Sequence, residues 1–372
     1  MRIGVPTEVK PQELRVGLTP ASVREFVSHG HLVLVQSNAG AGIGADDAVY
    51  EAAGAKIAPD AASVFGESEM IVKVKEPQAA ERAMLREGQI LYTYLHLAPD
   101  PEQTDDLLCA GVYGLAYETV TDDEGGLQLL APMSEFAGRL AIQSAAQSLT
   151  AMSGGRRILL GGVPGVLPAR VVVIGGGMVG LNAARMAMGL GADVTVLDTS
   201  LPRLREIDEV FDGRIRTLYS MGEALESAVI GADVVIGAVL IAGARTPKLV
   251  TREMLREMKT GAVVVDVAID QGGCFETSRP TTHEDPTFIV DGVVHYCVAN
   301  IPGAVPLTSS MALNHATLRP GLRIADLGIA EALRSDAHLR NGLNVARGHI
   351  THPAVAEALG RDYRAPEEIL AG

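Results

Sequence analysis

The chain has 372 residues, 47% hydrophobic and 20% charged, with 41 glycines and a net charge of −14 at pH 7. That length implies two domains rather than one core, and the apolar content excludes a disordered chain. The acidic excess, with no dense Lys/Arg run to offset it, argues against nucleic acid as a partner.

The start MRIGVPTEVK has no apolar signal region. Stretches such as VVIGAVLIAGA are too short and glycine-rich to span a bilayer, so a soluble chain without a membrane partner is expected. Cys109, Cys274 and Cys297 have neither metal spacing nor an even count, which fits a reducing cytoplasm. Cys274 reads as a buried, inert thiol.

In chain order, RIGVP reads as a strand, a helix follows Thr19-Pro20, HLVLVQ is a strand, and a helix covers Asp46 to Ala53. MIVKVK, QILYTYL and VYGLAYE are further strands, and the alternation predicts a mostly parallel sheet covered by helices. As one strand, MIVKVK places Lys73 and Lys75 on the same face. They are either guards of an edge strand or cations awaiting an anion, with Lys75 nearer the carboxyl end and Lys73 structural or at the rim. The segment APMSEFAGRLAIQSAAQSLTAMSGG predicts a long helix opening at Ser134 and stopping at Gly154-Gly155. Beyond GGVPGVLP a second series begins with RVVVIGGG, DVTVLD, ADVVIGAVL and GAVVVDVAID, and a largely helical portion runs from about Met311. The fold expected is α/β, with two doubly wound Rossmann-like domains joined by long helices and an active-site cleft between them. One domain comprises residues 1–130 and 307–372, the other 131–306.

VVVIGGGMVG supplies Gly175, Gly177 and Gly180 in G-x-G-x-x-G spacing between a β-branched strand and a helix. The first glycine permits a tight turn, the second lets a pyrophosphate approach the backbone, and the third lets helix and strand pack closely. The helix N-terminus then offers N–H groups to the anion. Asp198 closes the next strand about 20 residues on, where a carboxylate can bond ribose hydroxyls. Its charge repels a 2′-phosphate, favouring NAD over NADP, although Arg203 nearby tempers that preference.

Ligands of open α/β sheets sit beyond the carboxyl ends of the strands. That rule selects Arg15 in the loop after the first strand, Lys75 at the end of MIVKVK, His96 after ILYTYL and Asp270 at the end of VVVDVAID. Two of them have plainer alternatives: His96 as a structural imidazole, Asp270 as a helix cap or Asx-turn before Gly272-Gly273. Together they supply two cations for a carboxylate, and an imidazole and a carboxylate for proton transfer. Such a set suits hydride chemistry on a small amino or hydroxy acid.

The stretches MRIGVPTEVKPQELRVGLTP, KVKEP, LYTYLHLA, LLAPMSEFAGRLA, GGVPGVLPARVVVIGGGMVG, VDVAIDQGGCFETSRPTTHEDPTF and YCVANIPGAVPLTSSMALNHAT resemble the alanine dehydrogenase family across nearly the whole chain and in the same order. The resemblance implies an NAD enzyme, cytoplasmic and homohexameric, that interconverts L-alanine with pyruvate and ammonium. It implies substrate binding by Arg15 and Lys75, and acid/base roles for His96 and Asp270. Cofactor contacts carried over are Ser134, Met178, Val179, Asp198, Arg203 and Ser220, then Val239 and Leu240. The set continues with Val267, Ala268, Ile269 and Asp270, then Arg279, and ends with Val298, Ala299, Asn300 and Ile301. Some relatives bind magnesium through a Glu and a His on a C-terminal helix where this chain has Arg323 and Leu327, so no metal is expected. The competing readings are the NAD(H)-binding component of a proton-translocating transhydrogenase, a related dehydrogenase of lysine metabolism, and a nonenzymatic NAD sensor. Of these, the transhydrogenase component and the sensor leave the set Arg15, Lys75, His96 and Asp270 without a purpose.

Overall fold

The computed structural model describes residues 1–239 and 246–371. They divide into two compact units, Met1–Pro132 with Val305–Gly372, and Met133–Ala304. In chain order the strands are β1 (Arg2–Val5), β2 (Leu32–Gln36), β3 (Lys56–Ala58), β4 (Met70–Val72), β5 (Ile90–Thr93) and β6 (Tyr113–Ala116). The second unit holds β7 (Arg170–Ile174), β8 (Asp193–Asp198), β9 (Arg216–Tyr219), β10 (Val234–Gly237), β11 (Val263–Asp266), β12 (Thr287–Val290) and β13 (Val293–Tyr296). The chain then returns to the first unit for β14 (Leu343–Ala346) and β15 (His349–Ile350).

Among the described residues the first sheet has the order β15-β14-β6-β5-β4-β1-β2-β3, parallel from β6 to β3 and antiparallel at β14 and β15. The second has the order β12-β13-β11-β10-β7-β8-β9, parallel except for β12. Both are doubly wound: each starts in the middle, builds to one side, then crosses back past its first strand. Strands buried on both faces read as continuous apolar runs, and RIGV, MIV, VVVI and VVIG do so. Val64, Phe65, Ile71 and Leu91 form core in the first unit, and Val172, Ile174, Val235, Val264 and Phe275 in the second. Helix starts follow local rules: Thr19 caps Pro20–Ser28 with proline in its first turn, and Asp46 caps Asp47–Ala52. Among the described residues no helix is long and apolar enough to cross a membrane.

Two expectations are corrected. The strand predicted over MIVKVK ends at Val72, so Lys73 and Lys75 share no pleated face. The helix predicted from Ser134 opens earlier and spans Ala131–Ser148, which places Ser134 inside it. The C-terminal portion is largely helical, as expected, and after the helix Pro306–Leu327 it also holds β14 and β15, which form a hairpin about Arg347-Gly348, both at positive φ. That two-residue turn was a readable signal, but β14 also needs β6 as its antiparallel partner, a pairing far away in sequence.

Candidate active site

In the first unit the winding reverses between β1 and β4, the place where open sheets bind ligands. The loop after β1 carries Glu8, Glu13 and Arg15, and the segment after β4 carries Lys73 and Lys75. Glu8 joins them. Its carboxylate accepts the backbone N–H of Val74 at 2.6 Å and that of Lys75 at 3.4 Å, and meets Lys73 Nζ at 3.1 Å. Lys73 also donates to Glu81 at 2.6 Å and is 0% exposed. Burial disfavours its ammonium, but the carboxylates of Glu8 and Glu81 outweigh that and raise it above the usual lysine range. Gly17 is required here because a Cβ would stand 2.2 Å from the Val72 carbonyl oxygen, which seats the Arg15 loop directly on the end of β4.

Arg15 is buried, and Glu13 takes its Nε at 2.7 Å and one Nη at 2.6 Å in a bidentate pair that fixes the guanidinium plane. Beyond β5, His96 sits at φ +49°, exposed and stacked on Tyr94 with ring planes 2° apart and centroids 5.8 Å apart. Tyr94 is anchored by its hydroxyl donating to the Leu129 carbonyl at 2.7 Å, and its burial raises the phenol well above its usual range. Glu118, just past β6, accepts the N–H of Leu95 at 3.2 Å and of His96 at 2.6 Å, and lies 3.7 Å from His96 Nδ1. A backbone carboxylate clamp thus holds His96 in a left-handed conformation that non-glycine residues rarely adopt. Arg15, Lys75 and His96 follow the carboxyl ends of the neighbouring strands β1, β4 and β5.

The second unit repeats the pattern about β7 and β10. Gly175 has φ +98°, and a Cβ on it would press within 2.8 Å of the Ala238 carbonyl oxygen. A Cβ on Gly180 would stand 1.8 Å from the Gly175 carbonyl oxygen, whereas at Gly177 it would meet open space. The turn is therefore tight on its inner side and open where Gly177 begins the helix Met178–Gly189, the side a pyrophosphate needs. Asp198 ends β8 and accepts the N–H groups of Gly176 at 2.7 Å and Ser200 at 2.8 Å. Arg203 donates to the Gly176 carbonyl at 2.6 Å and to Glu206 at 2.7 Å, so its charge is engaged beside the turn. These features fit a dinucleotide with a free 2′-hydroxyl.

The remaining cofactor candidates follow successive parallel strands: Ser220 after β9, Val239 after β10, Val267 to Asp270 after β11, and Val298 to Ile301 after β13. Leu240 lies outside the described residues. Ser134 lies one turn before Gly138, whose bare backbone packs on the carbonyl of Val179. Met178 is exposed at the helix start beside half-buried Val179. Arg279 is exposed and lies over the Phe288 ring at 4.2 Å, a contact away from the glycine turn. Asp270 does not end a strand: β11 stops at Asp266, and Asp270 is exposed on the short 3-10 turn Ile269–Gln271. That turn has no side-chain cap, so the capping alternative finds no support.

Asp266 went unnoticed in the sequence. Fully buried, it accepts the N–H groups of Cys274 at 3.0 Å and Phe275 at 3.3 Å and the Ser278 hydroxyl at 2.6 Å, while burial raises its carboxyl above the usual range. Glu8, Glu13 and Glu118 were likewise missed. Glu118 and Asp266 stand at or just past strand ends, so applying the strand-end rule to every carboxylate there, and not to Asp270 alone, would have found both. Cys274 is buried beside Asp266, as expected of an inert thiol, and its thiol is pushed well up by burial. Among the described residues no group of three or more His, Cys, Asp or Glu side chains is assembled to hold a metal. Arg323 bonds the Ser335 hydroxyl at 2.9 Å.

Comparison with known proteins places these features. Residues 4–137 match the family model of the alanine dehydrogenase/PNT N-terminal domain, and residues 141–353 that of the C-terminal domain. A curated alanine dehydrogenase from Halomonas elongata is 58% identical over 98% of this chain and 98% of its own length. A solved L-alanine dehydrogenase is 49% identical and superposes with a TM-score of 0.93 over 97% of this chain and 99% of that one. A transhydrogenase from Sinorhizobium meliloti is more distant, 25% identical with a TM-score of 0.81 over 95% of this chain and 100% of its own. The chain belongs to the alanine dehydrogenase/PNT family.

Proposed function

We propose that the chain catalyses the reversible, NAD-dependent oxidative deamination of L-alanine to pyruvate and ammonium, with the first unit binding the amino acid and the second the dinucleotide. The observation that carries this reading is the set Arg15, Lys75 and His96 beyond neighbouring strand ends, in a chain similar along its whole length to alanine dehydrogenases. NAD supplies the hydride acceptor at its nicotinamide ring. Arg15, with its plane fixed by Glu13, and Lys75 hold the substrate carboxylate. Loss of hydride from the α carbon leaves an iminium, and water adds to it to give a carbinolamine. His96 takes a proton from that water, passes it to the amino nitrogen, and then takes the carbinolamine hydroxyl proton as the C–N bond breaks and ammonia leaves. Asp270 accepts hydrogen bonds from the amino group and shares the proton traffic. Alanine, NAD and water thus give pyruvate, ammonium, NADH and one proton. Glu118 keeps His96 in place through both transfers. The active form is read as a homohexamer in the cytoplasm.

The test is NADH formation at alkaline pH from NAD with L-alanine, D-alanine, L-serine, glycine and L-lysine, with NADP as control. NADH formed with L-alanine well ahead of the others supports the proposal. No turnover despite measurable NADH binding rejects it in favour of the transhydrogenase component or a sensor.

A further inference from the structure

The turn bearing Asp270 is gripped from two sides. On one side Asp266 accepts the N–H groups of Cys274 and Phe275. On the other, the ammonium of Lys248 donates to the carbonyl oxygens of Gly272 at 2.5 Å, Gly273 at 3.0 Å and Phe275 at 3.0 Å. Three carbonyls converge on one ammonium because Gly272 and Gly273 are successive residues at φ +93° and +73°. Lys248 lies in the stretch 246–250, and that stretch is zipped to the turn. The N–H of Thr246 donates to Gln271 at 3.1 Å, that of Leu249 to Cys274 at 2.8 Å, and that of Glu276 back to Val250 at 3.0 Å.

We infer that Lys248 is a positioning residue for the reaction: its ammonium fixes the backbone of Gly272 to Phe275 and thereby the turn on which Asp270 sits. Residues 246–250 and the turn after β11 then act as one body, so the placement of Asp270 depends on a side chain that need not touch the substrate. A charged donor to three carbonyls is stronger than its neutral counterparts, and its removal leaves the carbonyls of buried Gly273 and Phe275 short of a partner. The inference rests on the proposed role of Asp270 in alanine oxidation.

The experiment compares Lys248→Met, Lys248→Arg, Asp270→Asn and the double variant Lys248→Met/Asp270→Asn. The measurements are kcat and KM for L-alanine, NADH affinity by fluorescence, and backbone hydrogen exchange over residues 269–278. Expected for Lys248→Met is a kcat at least tenfold lower, NADH affinity within about threefold of the parent, and faster exchange confined to that stretch. Lys248→Arg should recover most of the rate. In the Asp270→Asn background the Lys248→Met change should cost no further rate, because its effect runs through Asp270. A kcat within twofold of the parent, or an equal loss in both backgrounds, overturns the inference. A parent inactive on L-alanine would sink the proposed function instead, and exchange alone would then decide: faster in Lys248→Met upholds the grip, unchanged refutes it.

Discussion

Lys73 and Lys75 stand two positions apart and serve different ends. Lys73 is enclosed with Glu8 and Glu81, and a buried ion cluster that loses its cation keeps two carboxylates without compensation. Lys73→Met should therefore destabilise the fold by about 3–5 kcal/mol, measured by urea unfolding; a loss under about 1 kcal/mol, the scale of a surface ion pair, would mean the cluster is not the brace described. Lys75→Ala should remove turnover while NADH binding, read by fluorescence, stays close to the parent value. Turnover comparable to the parent would discard Lys75 as the substrate cation. The sequence made both lysines visible but assigned them a common strand face. The inward turn of Lys73 depends on Glu8, more than sixty positions earlier, and no local pattern encodes such a partner.

Among elements, the glycine turn after β7 was the most legible, because its requirements are local. Positive φ at Gly175, open space at Gly177 and closeness at Gly180 each need a missing Cβ, and sequence spacing reports that directly. Gly180→Ala should push the helix Met178–Gly189 off the turn, since its Cβ would fall 1.8 Å from the Gly175 carbonyl oxygen. NADH affinity should drop more than tenfold in titration, equivalent to about 1.4 kcal/mol or more, while the substrate residues proposed for the first unit are untouched. Unchanged affinity would show that the turn does not seat the dinucleotide. Strand ends were less legible. MIVKVK and VVVDVAID look apolar to their last residues, yet pairing stops at Val72 and Asp266. Beyond both ends a carboxylate holds backbone N–H groups, Glu8 at Val74 and Asp266 at the more distant Cys274, and hydrophobic periodicity carries no trace of that.

On the scale of the whole molecule, the alternating strands announced two parallel sheets, whereas the β14–β15 hairpin stayed hidden because its partner strand is β6. Two imidazoles, one in each unit, tie stability to pH. Burial holds His295 below the usual histidine range, and burial does the same for His352 against a partial offset from Glu118. Between these lowered values and about 6.5, the unfolded chain binds more protons than the native one, so stability rises with pH across that window. The melting temperature should accordingly be flat above about pH 6.5 and fall as the pH drops below it. His352→Asn should shallow that fall; an identical slope in the variant would exclude His352 as a contributor. Finally, the strand ends are secured by carboxylates that hold main-chain N–H groups: Glu8 at Val74 and Lys75, Glu118 at Leu95 and His96, Asp198 at Gly176 and Ser200. Such grips do not discriminate among side chains. Position 75 can therefore be re-engineered while its loop keeps its course, with proline the replacement to avoid because it has no N–H to offer, whereas the positive φ at position 96 also weighs against β-branched residues there.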